Sequence, residues 1–182
     1  SNQLTFDFTN NFNVSNNQQA LDICEALSYL FCKDGISKIN MKIDGKAVSS
    51  FENTTIPLSC ITPNLGINNF ETSTFDLYQT SSVLVYNEKE IAGKTYYIPT
   101  TTRIQNTNQT IDQKVSLLLD HFENNTKVET TKKSQLNDGL LSIYLSSRIL
   151  DNSENISPTL YSRLEKSFLS LPDVSSVHIV QI

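Results

Sequence analysis

The chain has 182 residues, 38% of them hydrophobic, and its 19 acidic and 14 basic side chains give a net charge of −5. That length accommodates one large domain or two small ones. No run approaches the ~18 consecutive apolar residues of a spanning helix, and the longest basic run is Lys132-Lys133, so membrane-spanning and nucleic-acid-binding classes are set aside.

The first strand is predicted at Leu4, Phe6 and Phe8, which alternate with Thr5, Asp7 and Thr9, the period of a sheet with one buried and one wetter face. Ala20, Ile23, Cys24, Leu27 and Phe31 follow at helical spacing. Asp34-Gly35 then supplies the left-handed stop just past that helix. Ile39, Met41 and Ile43 alternate with Lys38, Asn40 and Lys42 and predict a second strand. From Ala47 to about Thr80, Pro57, Pro63 and Gly66 stand among many polar residues, the composition of a linker that wraps over its neighbours.

Regular patterning returns at Ser82. Val83 to Tyr86 and Thr95 to Ile98 read as a hairpin whose polar loop ends at Gly93. Thr110-Ile111-Asp112-Gln113 is a capping box. It opens a helix with the stripe Ile111, Val115, Leu118, Leu119 and Phe122. Burying those side chains contributes about 1.5–3 kcal/mol each before entropy, so the helix needs a sheet or a second helix over it. Alternation from Lys127 to Ser146 around Asn137-Asp138-Gly139 predicts a second hairpin with an Asp-Gly turn. Ser157-Pro158 opens the last helix as cap and first-turn proline, and Pro172 ends it before a final strand.

The two ends of the chain share one pattern. Leu4, Phe6, Phe8 and Phe12 fall on Leu141, Ile143, Leu145 and Ile149, and Ile23, Leu27 and Phe31 fall on Leu160, Leu164 and Phe168. After one inserted residue, Ile36, Ile39 and Met41 fall on Val174, Val177 and Ile179. Matched apolar spacing with the same element order points to duplication. The expected fold is α+β, a small mixed or antiparallel sheet with two helices packed on one face, in tandem with the first copy incomplete. Residues 1–48 are expected to be the closing half of a first domain, 49–80 a linker, and 81–182 a second, nearly complete domain.

Several short strings in this order resemble the GerM family. Ser82-Val83-Leu84-Val85-Tyr86 and Thr95 to Ile104, with Tyr96-Tyr97, Pro99 and Arg103-Ile104, look like its Tyr-rich hairpin. Asp7-Phe8, with Phe12 after it, resembles the family's Asp-Phe strand, and Ile39 to Lys46, ending in Asp44-Gly45-Lys46, resembles its closing signature. Asp138-Gly139 stands at the family's turn, and Pro172-Asp173-Val174 resembles the approach to its last strand. The second copy departs by carrying Tyr144-Leu145 where Asp-Phe is usual, and the sequence stops before any closing Gly-Lys. The resemblance implies GerM-like tandem domains similar to ring-building modules. It also implies an extracytoplasmic protein of sporulation or germination, usually anchored as a lipoprotein. Any signal or anchor is expected outside this sequence.

Candidate chemistry is sparse. The sequence contains no G-x-S-x-G, P-loop, G-x-G-x-x-G or H-E-x-x-H motif. His121 and His178 are the two histidines, and neither has Cys or carboxylate neighbours at metal-ligand spacing. Glu88/Glu90 and Asp120/Glu123 are the nearest carboxylate pairs and read as solvated faces. Tyr96-Tyr97 could stack on a glycan or partner, with strand alternation burying one of the two. Cys24 and Cys32 lie ~12 Å apart along one helix, too far to bond to each other. Cys60 sits in the linker-like stretch, and the thiols read as free, with Cys24 filling core. No catalytic, cofactor-binding or metal-binding residue is assigned. The expected role is a non-enzymatic scaffold that self-associates or binds other envelope or sporulation proteins, with a cell-wall or glycan-binding module as the alternative.

Overall fold

The computed structural model describes residues 2–69, 77–106, 108–122, 130–146 and 157–182. The chain divides into two compact units, Ser1–Ser82 and Val83–Ile182.

In the first unit, strand β1 (Asn2–Phe8) leads to helix α1 (Asn17–Phe31), strand β2 (Ile36–Ile43) and the short strand β3 (Lys46–Ala47). β1 and β2 run parallel with Leu4 opposite Ile39 and Phe6 opposite Met41, and β3 pairs antiparallel with β2. The helix starts where Asn16 Oδ1 accepts the Gln19 N–H at 2.9 Å while Gln19 Oε1 accepts the Ser15 N–H at 2.7 Å. These bonds satisfy donors that a first turn leaves unpaired. At the other end, Asp34 (φ 51°) and Gly35 (φ 85°) swing the chain into β2.

Residues 49–69 fold against α1 and β2. Phe51, Leu58, Cys60, Ile61 and Leu65 are buried in one core with Ala20, Leu21, Cys24, Ile39 and Met41. Ile39 donates its backbone N–H to Ile61 O at 3.0 Å, and Leu58 donates to Ser49 O at 2.9 Å. The stretch is a covering layer. It has no strand or helix period because its side chains reach the core from turns and a single 3-10 turn, Leu58–Cys60.

That layer widens the covered face of α1, with Ala20 and Cys24 of the expected stripe fully buried. The stripe through Ile23, Leu27 and Phe31 is only partly covered, and the buried side chains are Ala20, Leu21, Cys24, Glu25 and Ser28. The polar members are bonded to the layer: Ser28 Oγ donates to Thr62 O at 2.6 Å, and the Glu25 carboxylate accepts the Asn68 N–H at 2.8 Å and Asn69 Nδ2 at 2.7 Å. The phenylalanines form a chain of ring contacts, Phe31 to Phe6 at 5.1 Å, Phe8 to Phe12 at 4.2 Å and Phe12 to Phe51 at 5.5 Å. Phe51 is buried and supplies part of their cover, while Phe31 stays 38% exposed.

In the second unit, strands β4 (Thr80–Ile91) and β5 (Lys94–Gln105) form a two-stranded sheet. Both are much longer than the apolar cores that predicted them. The polar residues Asn87 to Glu90 extend β4, because ladder pairing uses backbone groups whatever the side chain. The loop shrinks to Ala92 (φ 51°) and Gly93 (φ 73°), the double left-handed turn that matches strand twist. Helix α2 (Ile111–Asp120) opens with the expected capping box between Thr110 and Gln113. Strands β6 (Thr130–Asn137) and β7 (Leu140–Leu145) turn at Asp138 (φ 48°) and Gly139 (φ 80°) as expected. Helix α3 (Pro158–Phe168) is capped by Ser157, whose hydroxyl accepts the Leu160 N–H, and strand β8 (Ser176–Gln181) closes the unit.

β7 is the central strand, antiparallel to β6 and parallel to β8, with Leu141 opposite Val177 and Ile143 opposite Ile179. These are the positions matched in sequence with the Leu4–Ile39 and Phe6–Met41 pairs of the first unit. Val115, Leu118, Leu119 and Phe122 from the α2 side and Leu164 and Phe168 from α3 pack with Leu141, Ile143 and Leu145 in one core. The fold is α+β, with helices packed on a mixed sheet. Ile149, Lys127 and Glu123 lie outside the described residues.

Candidate interaction surface

The polar groups weighed for chemistry stay dispersed. His121 caps the end of α2, its Nε2 3.0 Å from Thr102 Oγ1, and His178 sits in β8 opposite Ser142. Glu88 and Glu90 are exposed on β4, on a strand rather than a loop, and Asp120 is exposed at the end of α2. Among the described residues, no group of three or more His, Cys, Asp or Glu is placed to hold a metal ion. Neither tyrosine of the pair is buried, contrary to simple alternation: Tyr96 is exposed, and Tyr97 is half-buried beneath Lys166 Nζ, 5.7 Å from its ring centre. The strand lies where a long lysine from α3, not the core, covers its inward side.

Two cysteines meet instead. Cys24 of α1 and Cys60 of the covering layer are both buried, and the Cys24 thiol hydrogen-bonds Cys60. That bond, and then burial, pushes Cys24 far above an ordinary thiol. Accepting it draws Cys60 down, with burial opposing. Burial alone raises Cys32. Sequence reasoning could not bring Cys60 to this place, because only the packing of the layer on α1 does so.

Sheet edges are surfaces able to bind. An unpaired edge presents free N–H and C=O groups that recruit another strand unless covered. Side chains from α3 and its C-terminal end cover β4: Leu84 donates its N–H to Ser170 Oγ at 2.8 Å, Tyr86 donates to Ser167 Oγ at 2.9 Å, and Arg163 Nε donates to Tyr86 O at 3.0 Å. On β6, Ser134 donates its N–H to Asp112 Oδ1 of α2 at 2.7 Å. β1 is different. It has β2 on one side and, among the described residues, no strand on the other, whereas β7 has β6 there. Beside it, the last turn of α1 exposes Tyr29, Leu30 and Phe31, and Phe31 contacts Phe6 of β1. The sequence signal for this patch was Leu30, an apolar residue outside the helical stripe.

No protein-family model matches the chain. It is 24% identical over 190 aligned positions to the spore germination protein GerM of Bacillus subtilis (strain 168), an alignment that takes in 95% of this chain and 51% of the relative. The chain therefore spans about half the length of the curated relative it matches. A solved structure of the tandem GerMN domains of the sporulation protein GerM from Bacillus subtilis matches with a TM-score of 0.78 at 20% identity, covering 98% of this chain and 67% of that one. The fold matches that of the tandem GerMN domains in that structure.

Proposed function

We propose, from these likenesses, that the chain is a non-enzymatic scaffold of the cell envelope that acts by protein–protein association in sporulation or germination. The observation that carries this reading is the open edge of β1 beside exposed Tyr29, Leu30 and Phe31. A free parallel edge offers backbone donors and acceptors to an incoming strand, and a flanking apolar patch adds burial. Partners are another copy of the chain or other envelope or sporulation proteins. The setting is extracytoplasmic, with a lipoprotein anchor in the whole protein. Residues 1–48 are the closing half of a first GerM-like domain and 81–182 a second copy, a reading supported by the matched strand registers.

The test is light scattering on the purified chain across a concentration series, with Leu30→Lys beside wild type. Association that weakens in Leu30→Lys while the melting temperature holds supports the scaffold. Turnover in a hydrolase and nucleotide screen that survives repurification sinks the non-enzymatic part.

A second reading is a glycan-binding module, favoured by exposed Tyr96 next to the Tyr97–Lys166 contact. An aromatic face with a nearby cation suits a sugar ring carrying an acidic group. Pull-down on purified peptidoglycan separates the two readings: the glycan reading requires retention that Tyr96→Ala removes.

A further inference from the structure

Helix α1 presents Cys24, Ser28 and Cys32 on one face, one turn apart, and each meets the same short piece of the covering layer. Cys60 is buried in the same core as Cys24, Ser28 Oγ donates to Thr62 O at 2.6 Å, and Cys32 Sγ lies 3.8 Å from Ile61 O. Below them, Glu25 holds Asn68 and Asn69. The backbone segments carrying Cys24 and Cys60 are thus held together on both flanks. Both sulfurs are buried in the same core, at 0% and 7% exposure. Cys32 is occupied by a carbonyl and lies ~12 Å along the helix from Cys24, so it is the odd thiol.

We propose that Cys24 and Cys60 are an oxidisable pair that closes to an intramolecular disulfide when the chain folds in the presence of a small-molecule or protein disulfide, leaving Cys32 reduced. The Cys60 thiolate attacks the oxidant disulfide, forming a mixed disulfide and releasing one thiolate. Cys24, losing its proton to solvent base, then attacks the Cys60 sulfur and expels the second thiolate. Two cysteines lose two electrons, the oxidant's S–S bond gains them, and the two released thiolates take up protons. The more exposed Cys60 takes the first step while the layer is still forming, since in the folded unit Cys24 is sealed. The bond would staple the covering layer to α1 and restrict the unfolded chain between the two positions. This inference is independent of what the protein binds.

The full chain, reduced and unfolded, is refolded with oxidised and reduced glutathione, blocked with iodoacetamide, digested and mapped by mass spectrometry. The expected result is a Cys24–Cys60 linked peptide, an alkylated Cys32, and a melting temperature several degrees above that of the same protein under reductant. Three alkylated cysteines, or a link that includes Cys32, overturns the proposal. Cys32→Ser should retain the reductant-dependent melting shift, and its loss there also overturns the proposal. Cys60→Ala should abolish the shift, and a shift that persists counts against the pair.

Discussion

Asp7 Oδ1 accepts the backbone N–H of Gly45 at 3.0 Å, tying the end of β1 to the turn that follows β2. The same turn is held from its other side, where Asp44 Oδ1 accepts the Asn10 N–H at 3.2 Å and Asp44 donates its own N–H to Phe8 O at 2.8 Å. The Asp-Phe string and the Asp-Gly-Lys string are therefore two halves of one clasp at the same end of the parallel pair. At the matched position in the second unit, Tyr144 stands where the first unit has Asp7.

Asp7→Ala should remove one carboxylate–amide bond at an exposed site. A cost of about 1 kcal/mol is expected, read as a lowered urea midpoint at constant slope. Asp7→Asn, which keeps an acceptor oxygen, should recover part of it. An unchanged midpoint in Asp7→Ala would mean the clasp is idle.

Gly139 and Gly93 share a left-handed backbone but not their surroundings. A Cβ at Gly139 (φ 80°) would run into Ser175 Oγ, while one at Gly93 (φ 73°) meets nothing within 4 Å. Gly93→Ala should cost only the left-handed penalty, about 1–2 kcal/mol. Gly139→Ala should cost more, because Gly139 O also accepts the Ser175 and Ser176 N–H groups at 2.8 and 3.1 Å, and a shift there disturbs the approach of β8 to β7. Equal midpoints in denaturant for the two variants would contradict the close contact.

Glu25 is buried and bonded to Asn68 and Asn69. Glu25→Ala leaves those donors without their acceptor, with an expected loss of about 2–3 kcal/mol. Because the bonds tie the covering layer to α1, hydrogen exchange should speed up locally at residues 58–69. A uniform rise across the first unit would instead indicate global destabilisation.

Cys32 has its thiol raised above its ordinary value of 9.0 by burial. The folded form therefore binds the proton more tightly than the unfolded chain. Its contribution is fully present below the ordinary value and is lost as pH rises through the raised one. Under reductant, wild type should lose more stability than Cys32→Ser between pH 8 and about pH 10. Melting curves that fall in parallel would rule this out.

Much of the local structure could be read directly. The Thr110–Gln113 box, the Asp138-Gly139 turn, the Ser157-Pro158 start and the alternation of Leu4, Phe6 and Phe8 each depend on residues a few positions apart. Their geometry is set before any tertiary contact forms. The parallel pairing came only with the structure, and the alternation is consistent with its register, since a slip by one residue would turn Phe6 and Met41 to the wrong face.

Other features depended on distant contacts. Phe51, Leu58, Ile61 and Leu65 have no period to announce their burial, and they become core only because the layer folds back onto α1 and β2. That return buries Glu25 and Ser28, brings Cys60 to Cys24, and leaves Leu30 outside. The amino-acid sequence alone determined where strands, caps and turns arise, because those preferences are written in neighbouring side chains. Which faces are covered and which thiols share one core were decided by the tertiary structure, because each requires chain segments tens of residues apart to occupy the same space.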